Sequence, residues 1–583
     1  MHDVERMASN PASADWWRTA VVYQIYIRSF ADADGDGNGD IAGIRSRLPY
    51  LRELGVDAVW ITPWYRSPMA DGGYDVADYR AIDPRFGSLD DARALIADAH
   101  ANGLKVMIDI VPNHTSSEHA WFREAMAAPR GSAARARYHF LDGRGHGEGE
   151  PPNNWRSVFG GPAWTVVPDS VPDGGARPRE VGPRQWYLHL FDSAQPDLNW
   201  DNPEVRAEFE AILEFWLDFG VDGFRIDVAS LLLKAAGLPD VPDLAGPIAR
   251  TDNPLDWDPA SHPYENLDGL HDIYRRWREI ADRYGAVFCG EIHLPAAGVA
   301  PYLRPDELHT AFNFDFALRP WTAAALRQSI DATLASHAAV GAPPTWVLGN
   351  HDLPRPAYRY GRPDRRAGGD GGDGWNAWLR TEPSDRARGL ARASAAGLLY
   401  LALPGSAYIY QGDELGLPEV LDLPDGARRD PTFRRSNGLD PGRDGTRIPM
   451  PWNGREPPFG FGPEGSRPWL PQPAEWSELS VEAESRDPDS MLELYRAALR
   501  LRREHPGFRG NSLRWLSGRA DTLTFARGDG LICAVNMSGE PMPLPPSARV
   551  LLSSGEAGAG GLAPDSTAWL DPADGRAEET WPS

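Results

Sequence analysis

The chain has 583 residues, 42% of them hydrophobic, with 83 acidic against 59 basic side chains and a formal net charge of −24. That length exceeds one core and implies a large domain with smaller ones attached, and so negative a charge argues against nucleic acid or an anionic membrane as partner. Two cysteines, Cys289 and Cys533, provide no disulfide framework; residues 1–17 carry no apolar leader run and no stretch is long enough for a membrane helix, so a cytoplasmic protein is expected.

Short apolar runs at 20–30, 57–64, 104–112, 221–228, 286–293, 311–316, 345–352 and 406–411 read as eight strands, mostly apolar on both faces as buried parallel strands require. Between them, 44–54, 89–102, 203–219, 267–284 and 321–337 show the three-and-four apolar spacing of helices, with Pro203 placed as a helix start. The alternation predicts an α/β fold, a (β/α)8 TIM barrel. An open doubly wound sheet lacks support, because no GxGxxG follows the first run.

Two regions break the pattern. Residues 113–184, rich in Gly, Pro, Trp and Arg, are too long for a bare loop and predict a small inserted domain after the third strand. From 511 to 583 short strands at 523–527, 531–536 and 549–553 predict a C-terminal antiparallel β-domain, leaving 15–112 and 185–510 to the barrel. Residues 361–384, rich in glycine and charge, predict a mobile loop after the seventh strand.

After the first strand come Asp32, Asp34, Asp36, Asn38 and Asp40 with interleaved glycines. Carboxylates at positions 1, 3, 5 and 9 with interleaved glycines are how a loop wraps a hard cation, although the EF-hand glutamate is missing, its place being taken by Gly43. The alternative is a solvated acidic loop.

In such a barrel, functional groups sit at the C-terminal strand ends. Here those ends carry Asp109 and His114, Arg225 and Asp227, Glu291 and His293, and His351 and Asp352. A lone carboxylate at a strand end is usually a cap or an ion-pair partner. Four in one barrel mouth cost several kcal/mol to bury unless catalysis or a cation uses them, by roughly the penalty for unpaired buried charge. The set fits retaining glycoside hydrolysis, which needs a carboxylate nucleophile and a protonated carboxyl. Arg225, two residues before Asp227 on the same strand face, is expected to keep Asp227 ionised as the nucleophile. Glu291, beside Phe288 and Cys289, is expected to be raised by an apolar setting and to act as acid/base. Asp352 is left to stabilise positive charge on the sugar ring, with His351 and His114 as hydroxyl donors.

The blocks DIVPNH, GFRIDVA, GEIHL and LGNHD, in this order and each at its strand, resemble those of glycoside hydrolase family 13, the α-amylase superfamily. QPDLNW is similar to the extra block of its oligo-1,6-glucosidase and α-glucosidase branch, and the resemblance covers about residues 15–583. It implies the same roles for Asp227, Glu291 and Asp352, with Asp109, His114, Arg225 and His351 completing the subsite that holds the cleaved glucose. Asp71 and Tyr74 resemble the family's GYD block, whose tyrosine stacks on the sugar, and Arg443 resembles the arginine that reads the terminal sugar. Phe159 and Gln185 lie in segments resembling ones that border the pocket. The branch also has a loop like that of Asp32–Asp40 which binds one structural calcium, with the backbone of Asn38 among the ligands.

The resemblance therefore implies an exo-acting α-glucosidase that takes terminal glucose from short, imported sugars such as maltose, with Ca2+ and no organic cofactor. An oligo-1,6-glucosidase and a relative that transfers or isomerises glucose, of the trehalose or isomaltulose synthase type, share the motifs. A non-enzymatic transporter subunit is disfavoured by the full acidic triad. Val228 after the nucleophile goes with α-1,6 cleavage in the resembled branch. Other segments look more like actinobacterial maltose-type enzymes, and the balance favours α-1,4 with breadth.

Overall fold

The computed structural model describes residues 15–145, 149–168, 184–241, 262–362, 383–528 and 530–572. Eight parallel strands form the barrel: β1 Val21–Ile25, β2 Ala58–Ile61, β3 Lys105–Ile110, β4 Gly223–Ile226, β5 Val287–Gly290, β6 Thr310–Ala311, β7 Thr345–Val347 and β8 Ser406–Tyr410. The ladder runs unbroken from β6 back through β5, β4, β3, β2 and β1 to β8 and β7. No ladder joins β6 to β7, but the hydroxyls of Thr310 and Thr345 touch there.

Alternation along the strands decides what lies inside. Val22, Ala58, Trp60, Met107, Cys289, Val347 and Tyr408 pack into one inner cluster. The intervening residues, among them Val59, Ile108, Phe224, Ile226 and Phe288, belong to the larger core shared with the surrounding helices. On β4 the inner positions fall to Gly223 and Arg225, and a Cβ on Gly223 would stand 2.3 Å from the carbonyl of Val287. The register sets Asp109 of β3 and Cys289 of β5 on either side of Arg225.

The helices follow their sequence signals. In α1, Ile41–Leu54, Asp40 caps the start by accepting from Gly43 N at 2.6 Å. In α2, Leu89–Ala101, Ser88 and Asp91 form a reciprocal capping box. The third, α3, spans Pro203–Phe219, with Asn202 as cap. Next come α4, Leu270–Tyr284, and α5, Ala323–Val340. Among the helices the sequence does not announce, two are long: α6, Arg386–Ala402, and α7, Met491–Glu504. The first is alanine- and glycine-rich and buried for most of its length, so it has no polar face to reveal its period. The sixth strand is shorter than the run 311–316, because Asn313 accepts from Phe316 N and turns Phe314–Ala317 into a helical turn.

The excursion after β3 holds a three-stranded antiparallel sheet whose middle strand is Gln185–Leu188, between Phe140–Asp142 and Trp164–Val166. The insert thus runs past the expected boundary at 184. At the C-terminal end, Leu513–Trp515, Thr522–Arg527, Leu531–Asn536, Ser566–Pro572 and Ala548–Ser553 form, in that spatial order, a five-stranded antiparallel sheet. It docks on α6 through Thr567 Oγ1 to Ala395 O and Trp569 Nε1 to Leu398 O. Residues 363–382 of the expected loop and 573–583 of the expected C-terminal domain lie outside the described residues. Among those described, no helix is long and apolar enough to cross a membrane.

Candidate active site

Arg225 is the centre of the barrel mouth. Its side chain is fully buried, and Nη1 donates to Asp109 Oδ1 at 2.6 Å and to Asp227 Oδ1 at 2.8 Å. Nη2 lies 2.6 Å from Glu291 Oε2, an ion pair outside hydrogen-bond alignment. One guanidinium therefore serves three carboxyls from three adjacent strands. Asp109 also accepts from Trp60 Nε1 at 2.9 Å and Tyr74 OH at 3.1 Å. Burial pushes Asp109 up to about 6 against the pull of Arg225.

Asp227 and Glu291 each stand one residue beyond their strand, both buried. Burial pushes Asp227 well above the ordinary carboxylate range; Arg225 opposes it and Glu291, Asp109 and Asp352 reinforce it. For Glu291, burial is outweighed by Arg225 and His293, and the group is held low. The sequence reading expected the reverse for both. The physical reason is that Arg225 is shared, and that Glu291 is not in an apolar setting. Its Oε2 accepts from Val228 N at 3.0 Å and its Oε1 is 3.2 Å from His293 Nε2. His293 itself stacks on Phe314 with ring centroids 4.0 Å apart. Val228 reaches its position with φ of 39°, a left-handed conformation that is costly for a β-branched residue.

Asp352, beyond β7, is gripped from the other side. Its Oδ1 accepts from Arg443 Nη1 at 2.9 Å and from Arg447 Nη2 at 2.8 Å, and His351 Nε2 lies 3.3 Å from Oδ2. Burial is outweighed by the positive charges of Arg443, Arg447 and Arg225, which hold Asp352 ionised. Burial lowers His351 to about 3, so the ring is neutral. It stacks on Tyr74 at 5.2 Å and 8°, with Gln24 Nε2 2.7 Å from its Nδ1.

Arg443 also donates to Asp71 Oδ1 at 2.6 Å and Asp430 Oδ2 at 2.5 Å, and its guanidinium lies 5.0 Å from the Phe159 ring centroid. Asp71 accepts a further bond from Gln195 Nε2 at 3.1 Å, and that same nitrogen is 3.1 Å from His114 Nε2. The structure thus joins Asp71, Tyr74, Asp109, His114, Phe159, Arg225, His351 and Arg443 to Asp227, Glu291 and Asp352. Gln185 is the exception. Its amide accepts from Arg135 within the insert, and among the described contacts none joins it to the carboxylates. Gln195, not expected there, bonds Asp71 instead, and its place in the QPDLNW block was the signal that could have found it. Arg447, Asp430 and Trp60 were also missed. Trp60 was hidden because an apolar strand residue looks like core; the other two sit in a long segment without strand or helix period.

Of the five residues expected to bind a cation, three carboxylates cluster: those of Asp32, Asp34 and Asp40 offer oxygens within 4.8 Å of one another. Asp36 instead accepts from Asn38 N at 2.7 Å, and the Asn38 amide oxygen accepts from Arg28 Nε at 2.9 Å.

Six carboxyls, Asp71, Asp109, Asp227, Glu291, Asp352 and Asp430, thus surround three guanidiniums, Arg225, Arg443 and Arg447. Such an excess favours a species that becomes positive as it reacts. The model of the α-amylase catalytic domain matches residues 24–510. The chain belongs to the α-amylase family. It is a glycoside hydrolase of the branch containing α-glucosidases, and a domain of unknown function matches residues 509–569. A probable α-glucosidase of Rhizobium meliloti is 36% identical over 552 residues, 90% of either chain. An oligo-1,6-glucosidase of Parageobacillus thermoglucosidasius is 35% identical over 529 residues, 84% of either chain. The crystal structure of an α-glucosyl transfer enzyme superposes with a TM-score of 0.78 at 35% identity, covering 95% of this chain and 99% of the other.

Proposed function

We propose that the enzyme removes single α-linked glucose units from the non-reducing ends of short saccharides with retention of configuration. The observation that carries this reading is the run of bonds from Asp352 through Arg443 to Asp71 and on to Gln195, which offers fixed polar groups to a terminal sugar. A sugar substituted at those hydroxyls would strand buried donors and acceptors, at about 1–3 kcal/mol each.

Asp227 is the nucleophile and Glu291 the acid/base. Their attachment to the two terminal nitrogens of one guanidinium favours the short carboxyl separation of retaining enzymes, about 5–5.5 Å. The pair needs its proton on Glu291, and the misaligned Arg225–Glu291 contact is the one that can loosen. Its release leaves Arg225 with Asp227 and Asp109 and favours the ionised nucleophile. Asp352, kept charged by Arg443 and Arg447, faces the oxocarbenium-like transition state.

Release of glucose from maltose and isomaltose, with soluble starch keeping its viscosity, tests the reading. A rapid fall in starch viscosity with longer fragments appearing first refutes it. α-1,4 linkages with some breadth are the preferred substrates. Transfer or isomerisation of the glucosyl unit is the second reading, favoured by the likeness to a glucosyl transfer enzyme, and product analysis on maltose and sucrose separates the two.

The clustered carboxylates of Asp32, Asp34 and Asp40 fit one calcium. Asp32 and Asp40 are nearly buried, and burial raises both, so the acids crowd one another without a cation. The ion would pin this loop and the start of α1, away from the chemistry. The two buried, unpaired thiols, Cys289 and Cys533, suit a cytoplasmic location.

A further inference from the structure

The turn that follows Asp227 is tied down from several sides. Asp227 N donates to Ile110 O of β3 at 2.9 Å, Val228 N to Glu291 Oε2 at 3.0 Å, Ala229 N to Glu291 O at 2.9 Å and Leu231 N to Val228 O at 2.9 Å. The carbonyl of Ala229 is met instead by a side chain of the surrounding helix α4, the hydroxyl of Tyr274. Ala229 and Tyr274 are both fully buried, and the tyrosine ring lies 5.8 Å from that of Trp277 and 5.9 Å from that of Tyr302. Burial, reinforced by Tyr302 and Glu307, pushes the phenol well above its ordinary value, so it keeps its proton and donates.

The N–H groups of Val228 and Ala229 flank one α-carbon, and both point at Glu291, one at its side chain and one at its backbone. In an extended residue two such groups point to opposite sides; a left-handed residue can bring them together. Val228 has φ of 39°, which a β-branched residue leaves when it can. Ala229 prevents this, being fixed at both of its polar backbone groups. Without the hydroxyl, Ala229 O would be buried with no donor and would turn to find one. Val228 could then relax toward the extended region, and its N–H and that of Ala229 would part. The carboxylate is the partner that can move, so the bond to Oε2 is the one that goes.

We infer that Tyr274 is a positioning residue for the acid/base carboxyl: by donating to Ala229 O it holds the turn in which Val228 N–H fixes Glu291 Oε2. The inference rests on the reading of Glu291 as the acid/base group. Tyr274 acts through the turn, not on the sugar. In the reaction Glu291 passes a proton to the departing oxygen as its bond to the anomeric carbon breaks and Asp227 bonds to that carbon. A fluoride leaves with the bonding pair and needs no such proton. A misplaced acid therefore spares α-glucosyl fluoride, whereas a merely damaged pocket loses fluoride and maltose alike.

The test measures kcat/KM for maltose and α-glucosyl fluoride, with melting curves, in the wild type, Tyr274→Phe, Val228→Gly, Val228→Gly/Tyr274→Phe and Glu291→Gln. Tyr274→Phe should lose roughly 10- to 100-fold on maltose, the worth of a hydrogen bond to a charged group, and less than about threefold on the fluoride. Glycine takes a left-handed φ without steric cost, so in the Val228→Gly background the same substitution should leave the ratio of the two substrates within about twofold. Equal losses on both substrates in Tyr274→Phe, or no loss in the folded variant, overturn the inference. So does a ratio that changes as much in the glycine background. If Tyr274→Phe does not fold, the comparison in the glycine background decides alone. Glu291→Gln should lose maltose far more than fluoride. If it loses both alike, or if the wild type cleaves neither substrate, the proposed role of Glu291 has failed and the inference falls with it.

Discussion

Replacing Arg443 by alanine should damage turnover as well as binding. From sequence, the residue is a reader of the terminal sugar paired with Asp71, and its loss should raise the Michaelis constant for maltose sharply. In the structure its guanidinium binds Asp71, Asp352 and Asp430 at once, all three largely buried. Removing one partner of a buried pair costs about 3–5 kcal/mol, because the remaining charge is left uncompensated. Asp352 keeps Arg447, so part of that cost falls on Asp71 and Asp430 and appears as lower stability. If about 3–4 kcal/mol reaches the transition state, kcat/KM for maltose falls by roughly 10²–10³. Arg443→Lys should not rescue, since one ammonium cannot reproduce a planar fork spread over three carboxylates. Steady-state kinetics and melting curves on Arg443→Ala, Arg443→Lys and Arg443→Ala/Asp71→Asn provide the check. An increase confined to KM, with kcat and melting temperature at wild-type values, would refute the argument that Arg443 supports Asp352.

Asp227→Ala should abolish nearly all turnover, and azide should restore part of it with a glucosyl azide product; substantial activity without azide would remove Asp227 from the nucleophile's role. Chelation should lower the melting temperature more than it lowers activity below that temperature, whereas an unchanged melting curve with no metal by elemental analysis would leave the Asp32–Asp40 loop without a calcium. Gln195→Ala should raise KM for maltose while Gln185→Ala leaves it unchanged, and equal effects would contradict their placement. Far from the site, burial pushes Glu484 from an ordinary value of 4.5 to about 8. A raised acid stabilises the fold fully below its unfolded pKa and loses that contribution as pH rises through the folded one, so stability should decline from about pH 5 to pH 8, by a few kcal/mol at most. Glu484→Gln should flatten that decline in denaturant titrations across the same range.

Much of the fold was legible because barrel strands are buried on both faces and helices carry caps. Pro203–Phe219 matches its sequence signal at both ends, since Asn202 and Pro203 start it and Gly220 stops it in the left-handed conformation. What escaped had no period to read. The helix Arg386–Ala402 is buried nearly all round, and the segment carrying Asp430, Arg443 and Arg447 has only short helical turns. The acidic residues at strand ends were visible one by one, because strand register alone places them in the mouth. Their protonation was not, because it depends on which neighbours share a charge, and those come from distant parts of the chain. Gln185 and Gln195 show the same limit: ten residues apart and both polar, they are separated only by the path of the insert.

The sharing of Arg225 changes how the pocket's charge should be understood. Were the guanidinium devoted to Asp227, the nucleophile would be ionised before any sugar arrived and Glu291 would have to gain its proton from an apolar surround. Instead, the aligned bonds run to Asp109 and Asp227, and the contact to Glu291 is the one that lacks hydrogen-bond geometry. Glu291 is meanwhile held by Val228 N on one oxygen and faces His293 from the other. A sugar entering between the two carboxyls meets at Arg225–Glu291 an ion pair with no aligned hydrogen bond. Breaking it removes the main positive neighbour from Glu291 and concentrates that neighbour on Asp227, so the proton is favoured where leaving-group departure needs it. Substrate binding would then itself set which carboxyl is the acid and which the nucleophile. The strained φ of Val228 then has a role, because that conformation aims its N–H at Glu291 and keeps the carboxyl in place once Arg225 has let go.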